Sequence, residues 1–189
     1  EHCVTEMITN IDLVEQQTIP WPEGTKSINW RPDNARIAYY FAPLTDDPQK
    51  VIININQKQV ERTFTPVKGE RTLITADINN LEYSRVFDFK TTEITDPKIS
   101  WSPDNQKILV EDDKLHVFET SARNKIKSLE MQDTVVDAQW LPDNQSIIFE
   151  TQAGAIKIIT LDSQVIDAGV QGKLKNIALI DGGFIFATQ

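Results

Sequence analysis

Asp33, Asp104 and Asp143 each sit in the string Trp-x-Pro-Asp-Asn, written WRPDN at 30–34, WSPDN at 101–105 and WLPDN at 140–144. Repeated carboxylates invite an acid–base reading. That chemistry needs groups that converge on one point, in environments that separate their pKa values. Here each Asp stands in its own Pro-containing string, 71 or 39 residues from the next. Asp is also favoured in turns, where its side chain bonds nearby backbone. The expected role is structural, with no catalytic residue among them. Trp30, Trp101 and Trp140 are expected to pack between repeated units rather than to form an aromatic cage. Trp21, in PWPEG, falls outside the pattern and fits either packing or recognition.

Other chemistry-bearing residues are sparse. The two histidines are His2, near the start, and His116, in KLHVFET. His116 reads as a strand position rather than a pH sensor. No Gly-x-Ser-x-Gly elbow, P-loop or His-Glu-x-x-His occurs. The acidic groups Glu111-Asp112-Asp113 and Asp46-Asp47 lack EF-hand spacing and read as solvated loops, so no metal or cofactor is expected. A single cysteine, Cys3, excludes an intrachain disulfide and a zinc cluster, and leaves open a disulfide to sequence upstream. The net charge of −9 disfavours phosphate backbones and anionic lipid. It fits a protein or small-ligand partner. No apolar run approaches the ~18 residues of a membrane span. The chain begins with Glu1 rather than Met, which suggests a processed protein or a domain of a longer one.

The elements that position these residues follow from a repeat. Pro-Asp-Asn suits a type I turn followed by a residue in the left-handed region, where Asn and Gly are best tolerated. Asn34, Gly69, Asn105, Asn144 and Gly182 (preceded by Asp181) lie 35, 36, 39 and 38 residues apart. Each is followed by an apolar run, from ARIAYYF at 35–41 to GFIFATQ at 183–189. The structural repeat therefore comprises Trp30, Pro32, Asp33, Asn34; Gly69; Trp101, Pro103, Asp104, Asn105; Trp140, Pro142, Asp143, Asn144; and Asp181, Gly182.

Each unit reads as four strands of alternating character, such as KISW, KILVED, KLHVFET and KIKSLEM. Four strands in about 38 residues is the spacing of β-propeller blades. The fold expected is all-β: a single propeller over 1–189 built of four-stranded antiparallel blades. Blades are expected at 27–65, 66–96, 97–132 and 134–170. A fifth, composite blade would join 173–189 to 5–20 and close the ring.

The string Trp-Ser-Pro-Asp-Asn followed by QKILVED resembles the Trp-x-Pro-Asp-Gly repeat of TolB-like propellers, with Asn in place of the usual Gly. INWRPDNARIAYY and AQWLPDNQSIIFET carry the same resemblance. It implies a propeller and leaves the activity open. Proteins with this repeat include periplasmic TolB, gating propellers of prolyl-oligopeptidase-like peptidases, and extracytoplasmic parts of membrane-anchored winged-helix regulators of the CadC type. The expectation is a non-enzymatic domain that binds a protein or small ligand. Its setting would be periplasmic or extracytoplasmic, in a bacterial envelope protein or sensor. The alternative is a gating or substrate-positioning domain of a larger hydrolase.

Overall fold

The computed structural model describes residues 5–8, 17–20, 23–55, 58–65, 67–77, 83–89, 97–112, 114–120, 124–129, 133–180 and 183–188. Among these there is no helix, and every paired strand is antiparallel.

Three four-stranded sheets carry the Trp-x-Pro-Asp-Asn strings. In the first, β3 (Thr25–Trp30) and β4 (Arg36–Phe41) pair with β7 (Arg71–Asp77) and β8 (Tyr83–Phe89). The second holds β9 (Lys98–Trp101), β10 (Lys107–Glu111), β11 (Leu115–Glu119) and β12 (Asn124–Leu129) in chain order. The third holds β13 (Val135–Trp140), β14 (Ser146–Thr151), β15 (Ala155–Thr160) and β16 (Val165–Gln171). Three two-stranded sheets complete the described chain: β1 (Thr5–Ile8) with β2 (Gln17–Pro20), β5 (Gln49–Ile55) with β6 (Lys58–Phe64), and β17 (Leu174–Ile180) with β18 (Gly183–Thr188).

The division at 27–65 and 66–96 differs from this pairing. β4 pairs directly with β7, Phe41 facing Thr72, so both stretches supply one sheet. β5 and β6 form a hairpin inserted in the connection where the second and third sheets have only residues 112–114 and 152–154. The sequence hid this because the hairpin strands have the length and alternation of blade strands. The expected composite blade also differs: β1–β2 and β17–β18 are separate sheets, and β2 lies beside β5.

The core lies between sheets. Ile108 and Val110 of β10 pack with Phe118, Ile99 and Trp101 against Ala38, Tyr40, Leu73 and Val86 of the first sheet. Leu109, between them in sequence, points the other way, into a cluster with Trp140, Ile147, Phe149 and Ile159 of the third. Successive strand residues face opposite sides, so a sheet covered on both faces needs an unbroken apolar run. Ile108-Leu109-Val110 is such a run. Leu141, Ile148 and Ile156 then meet Leu174 of β17. The edge strand β16 is the exception, with Val165, Ile166 and Val170 exposed. A bulge at Gly169 (φ 67°) interrupts this edge, which makes it a poorer template for another strand.

Candidate functional site

The three Pro-Asp-Asn strings are turns, and their carboxylates act locally. The amide N–H of Asn34, Asn105 and Asn144 donates to the carbonyls of Arg31, Ser102 and Leu141, at 2.8, 2.9 and 3.2 Å. The same asparagines sit at φ 58°, 64° and 59°. Asp33, Asp104 and Asp143 accept from the amides of Ala35, Gln106 and Gln145 at 3.0, 3.1 and 2.9 Å. Arg31 binds Asp33 through Nε and a terminal nitrogen, both at 2.7 Å, and lowers its pKa. Burial pushes Asp104 up, but the Ser102 hydroxyl, the Gln106 amide and Lys107 outweigh it and hold the carboxyl below its ordinary value. Asp143 likewise is lowered by Ser146 and Gln145 against the pull of burial. Pro32 and Pro103 are exposed and Pro142 half-buried in these turns.

Gly69 adopts φ 83°, as a turn residue should. It belongs to the stem of the inserted hairpin, where its N–H reaches the Pro43 carbonyl at 3.5 Å. Asp181, Gly182, Trp21, His2, Cys3 and Asp113 lie outside the described residues. His116 is a β11 position, with Asp112 3.5 Å from its Nε2.

Two places stand out as more than scaffold. The first is the seam between neighbouring sheets. Trp101 donates its indole N–H to the Asn29 carbonyl of the preceding sheet at 3.2 Å, and Trp140 donates to the Ser100 carbonyl at 3.4 Å. Each acceptor is the residue before the preceding sheet's own Trp. Asn144 Oδ1 accepts the Asp104 amide at 2.8 Å across the second seam. In the reverse direction, Glu111 accepts the Ala138 amide at 3.1 Å, and Glu150 accepts the Leu174 amide at 3.0 Å.

Glu111 was expected in a solvated loop, and here the structure corrects the reading. It ends β10 with only 6% exposure, covered by the neighbouring sheet. Lys98 lies 3.4 Å from its Oε1 and also binds Asp137 at 2.7 Å and the Val136 carbonyl at 3.2 Å. Burial, joined by the charge of Asp137, pushes the Glu111 carboxyl up to about 7 against the pull of Lys98 and the Ala138 amide. Burial lowers Lys98, but Asp137 and Glu111 more than offset it and raise its pKa. The only sequence signal was that Glu111 and Glu150 both stand ten residues after a repeat Trp.

The second place is the stem of the β5–β6 hairpin. Gln49 bonds the Glu23 backbone in both directions, accepting from its N–H at 2.6 Å and donating to its carbonyl at 3.4 Å. Asp46 accepts the Lys68 amide. Leu44 and Val67, on opposite legs of this stem, are 66% and 47% exposed. Lys50 and Glu61 form an exposed ion pair across the hairpin at 2.9 Å, which adds little stability. Among the described residues no group of three or more His, Cys, Asp or Glu is placed to hold a metal.

No family model matches the chain. No curated protein matches it. Among solved structures it is similar to the dihydro-heme d1 dehydrogenase NirN in complex with DHE, a protein of the β-propeller type, with a TM-score of 0.52 and 16% identity. The match covers 89% of this chain and 43% of that one, so the chain spans less than half the length of this neighbour. At this identity the likeness shows the fold alone: an all-β, propeller-like array of antiparallel sheets.

Proposed function

We propose that this chain is a non-enzymatic, TolB-like propeller domain that binds a protein or small ligand on the side from which the β5–β6 hairpin emerges. The observation that carries the reading is the insertion itself. Two sheets make the same connection with residues 112–114 and 152–154, whereas the first spends residues 42–70 on it and anchors the stem at Gln49, Asp46 and Gly69. Long anchored insertions on a rigid scaffold are where binding surfaces are built. Leu44 and Val67 give that stem exposed apolar contact area. The locally engaged turn carboxylates leave those turns without a set of free catalytic groups, which favours binding over chemistry there. The setting we favour is the extracytoplasmic part of a bacterial envelope protein or of a membrane-anchored winged-helix regulator.

Replacing residues 44–67 with Asn-Gly tests this. The variant is expected to keep its β-type circular dichroism and a cooperative melt, and to lose partners captured in the parent cell by a photoreactive group placed at the exposed position 68, which both chains retain. Equal capture from position 103, in a repeat turn away from the hairpin stem, counts against the reading.

A second reading places the domain beside a catalytic one. It is favoured by the similarity to a longer chain named as a dehydrogenase. A hydrolase domain with Gly-x-Ser-x-Gly in the parent reading frame supports it; a winged helix and a membrane span support the sensor.

A further inference from the structure

We propose that Lys98, Glu111 and Asp137 form a proton-controlled staple across the seam between the second and third sheets. The proposal is independent of what the hairpin binds. Its basis is the geometry of one ammonium with three acceptors. Lys98 Nζ has Asp137 Oδ1 at 2.7 Å, the Val136 carbonyl at 3.2 Å and Glu111 Oε1 at 3.4 Å. Two of these acceptors belong to β13 and the longest contact is to Glu111. Lys98 is thus held mainly by the third sheet.

Glu111 is secured by another bond. Its Oε2 accepts the Ala138 N–H, a contact that either the carboxylate or the carbonyl oxygen of the acid can make. Oε1, whose contact is the long one to Lys98 at 3.4 Å, is the atom that would carry a proton. When it does, the seam holds one buried neutral acid beside an intact Lys98–Asp137 pair. When the proton leaves, two carboxylates compete for one ammonium in a site where Glu111 is almost wholly removed from water. Other charged groups nearby are engaged elsewhere: Asp112 accepts the Lys114 amide at 2.7 Å and lies 3.5 Å from His116. In the first sheet the equivalent of Glu111 is Tyr40, ten residues after Trp30, whose phenol is influenced by Arg71 and Asp112. In the third sheet the equivalent is Glu150, which accepts the Leu174 amide and has Asp137 rather than a lysine opposite it, so the staple is specific to one seam.

The sign follows from linkage. Glu111 titrates higher in the folded chain than its ordinary 4.5, so its contribution is fully present below that value and is lost as pH rises through about 7. Melting temperature is measured from pH 5 to 8 for the wild type and Glu111→Gln, and the Glu111 side-chain carboxyl is followed by carbon-13 NMR in the wild type. The wild-type melt is expected to fall with rising pH relative to Glu111→Gln, and the carboxyl resonance to titrate near neutrality. In Asp137→Asn the midpoint should move down, because the competing carboxylate is gone and Lys98 turns to Glu111. Should Glu111→Gln fail to fold, the wild-type and Asp137→Asn titrations decide. A Glu111 resonance that titrates in the ordinary carboxylate range overturns the proposal, as does a midpoint unmoved by Asp137→Asn.

Discussion

Trp101 donates its indole N–H to the backbone oxygen of Asn29, 72 residues earlier in the chain, and so ties the second sheet to the first. The ring is buried among Ile99, Ile108 and Val110 on its own sheet and Ala38 and Leu73 on the other. Arg31 lies over it, 5.8 Å from the ring centroid. Trp101→Ala is expected to cost about 3–5 kcal/mol in urea unfolding through the cavity it opens. Trp101→Phe keeps most of the apolar volume and removes the donor, and should cost about 0.5–1.5 kcal/mol for the lost hydrogen bond. Equal losses for the two variants would mean that packing volume contributes nothing at this seam.

Asn105 and Asn144 occupy the same turn position but have different surroundings. Asn144 Oδ1 accepts the Asp104 amide, whereas Asn105 Oδ1 is buried without a hydrogen-bond partner among the described residues. Glycine would suit the positive φ of both. Asn144→Gly loses a hydrogen bond and Asn105→Gly relieves a buried unpaired acceptor. The two variants should therefore differ by about 1–2 kcal/mol in favour of Asn105→Gly. Paired denaturant curves measure this difference, and the opposite order would contradict the assignment of the seam bond.

Gly24 tests the root of the first sheet. Its φ is 94°, and an added Cβ would overlap the Ala42 carbonyl oxygen. Ala42 N–H in turn donates to the Gly24 carbonyl at 2.8 Å, so the two segments are held together. Gly24→Ala is expected to destabilise by about 1–3 kcal/mol from backbone strain, with more from the overlap. Gly154, also at positive φ (80°) but with open space around it, gives a control in which only the strain acts. Thermal melts of Gly24→Ala and Gly154→Ala should rank in that order.

Acid should unfold the repeat turns. Asp104 and Asp143 titrate below their ordinary value in the folded chain. Their contribution is present above that value, about 3.8, and disappears as pH falls through the lower folded values. Asp104→Asn should flatten the fall of melting temperature below about pH 4 relative to the wild type. An unchanged acid limb would mean that Asp104 is not part of the acid response.

The turns were legible because their chemistry is local. A residue tolerant of positive φ after Pro-Asp identifies a hairpin without knowledge of the partner strand, and Asn34, Asn105 and Asn144 obey it. Gly69 obeyed the same rule and misled the count, because a positive φ is as useful in the return leg of an insertion as in a blade turn. Pairing of β4 with β7 across residues 42–70 is a long-range choice, made by Tyr40 and Leu73 entering one core with Trp101. Periodicity cannot see that choice. Glu111 was misread for a similar reason: charge alone suggested solvent, and only the approach of β13 buries it.

The seam contacts have a fixed sense. A Trp points its N–H back to the sheet before it, and a Glu reaches forward to an amide in the sheet after it. The second and third sheets therefore each carry one half of two matching connectors, like tiles cut with a tab on one side and a slot on the other. A unit copied in tandem would find both halves already present in its neighbours. An array of this kind can change its length by gene duplication without redesign of the surfaces on either side of the new copy.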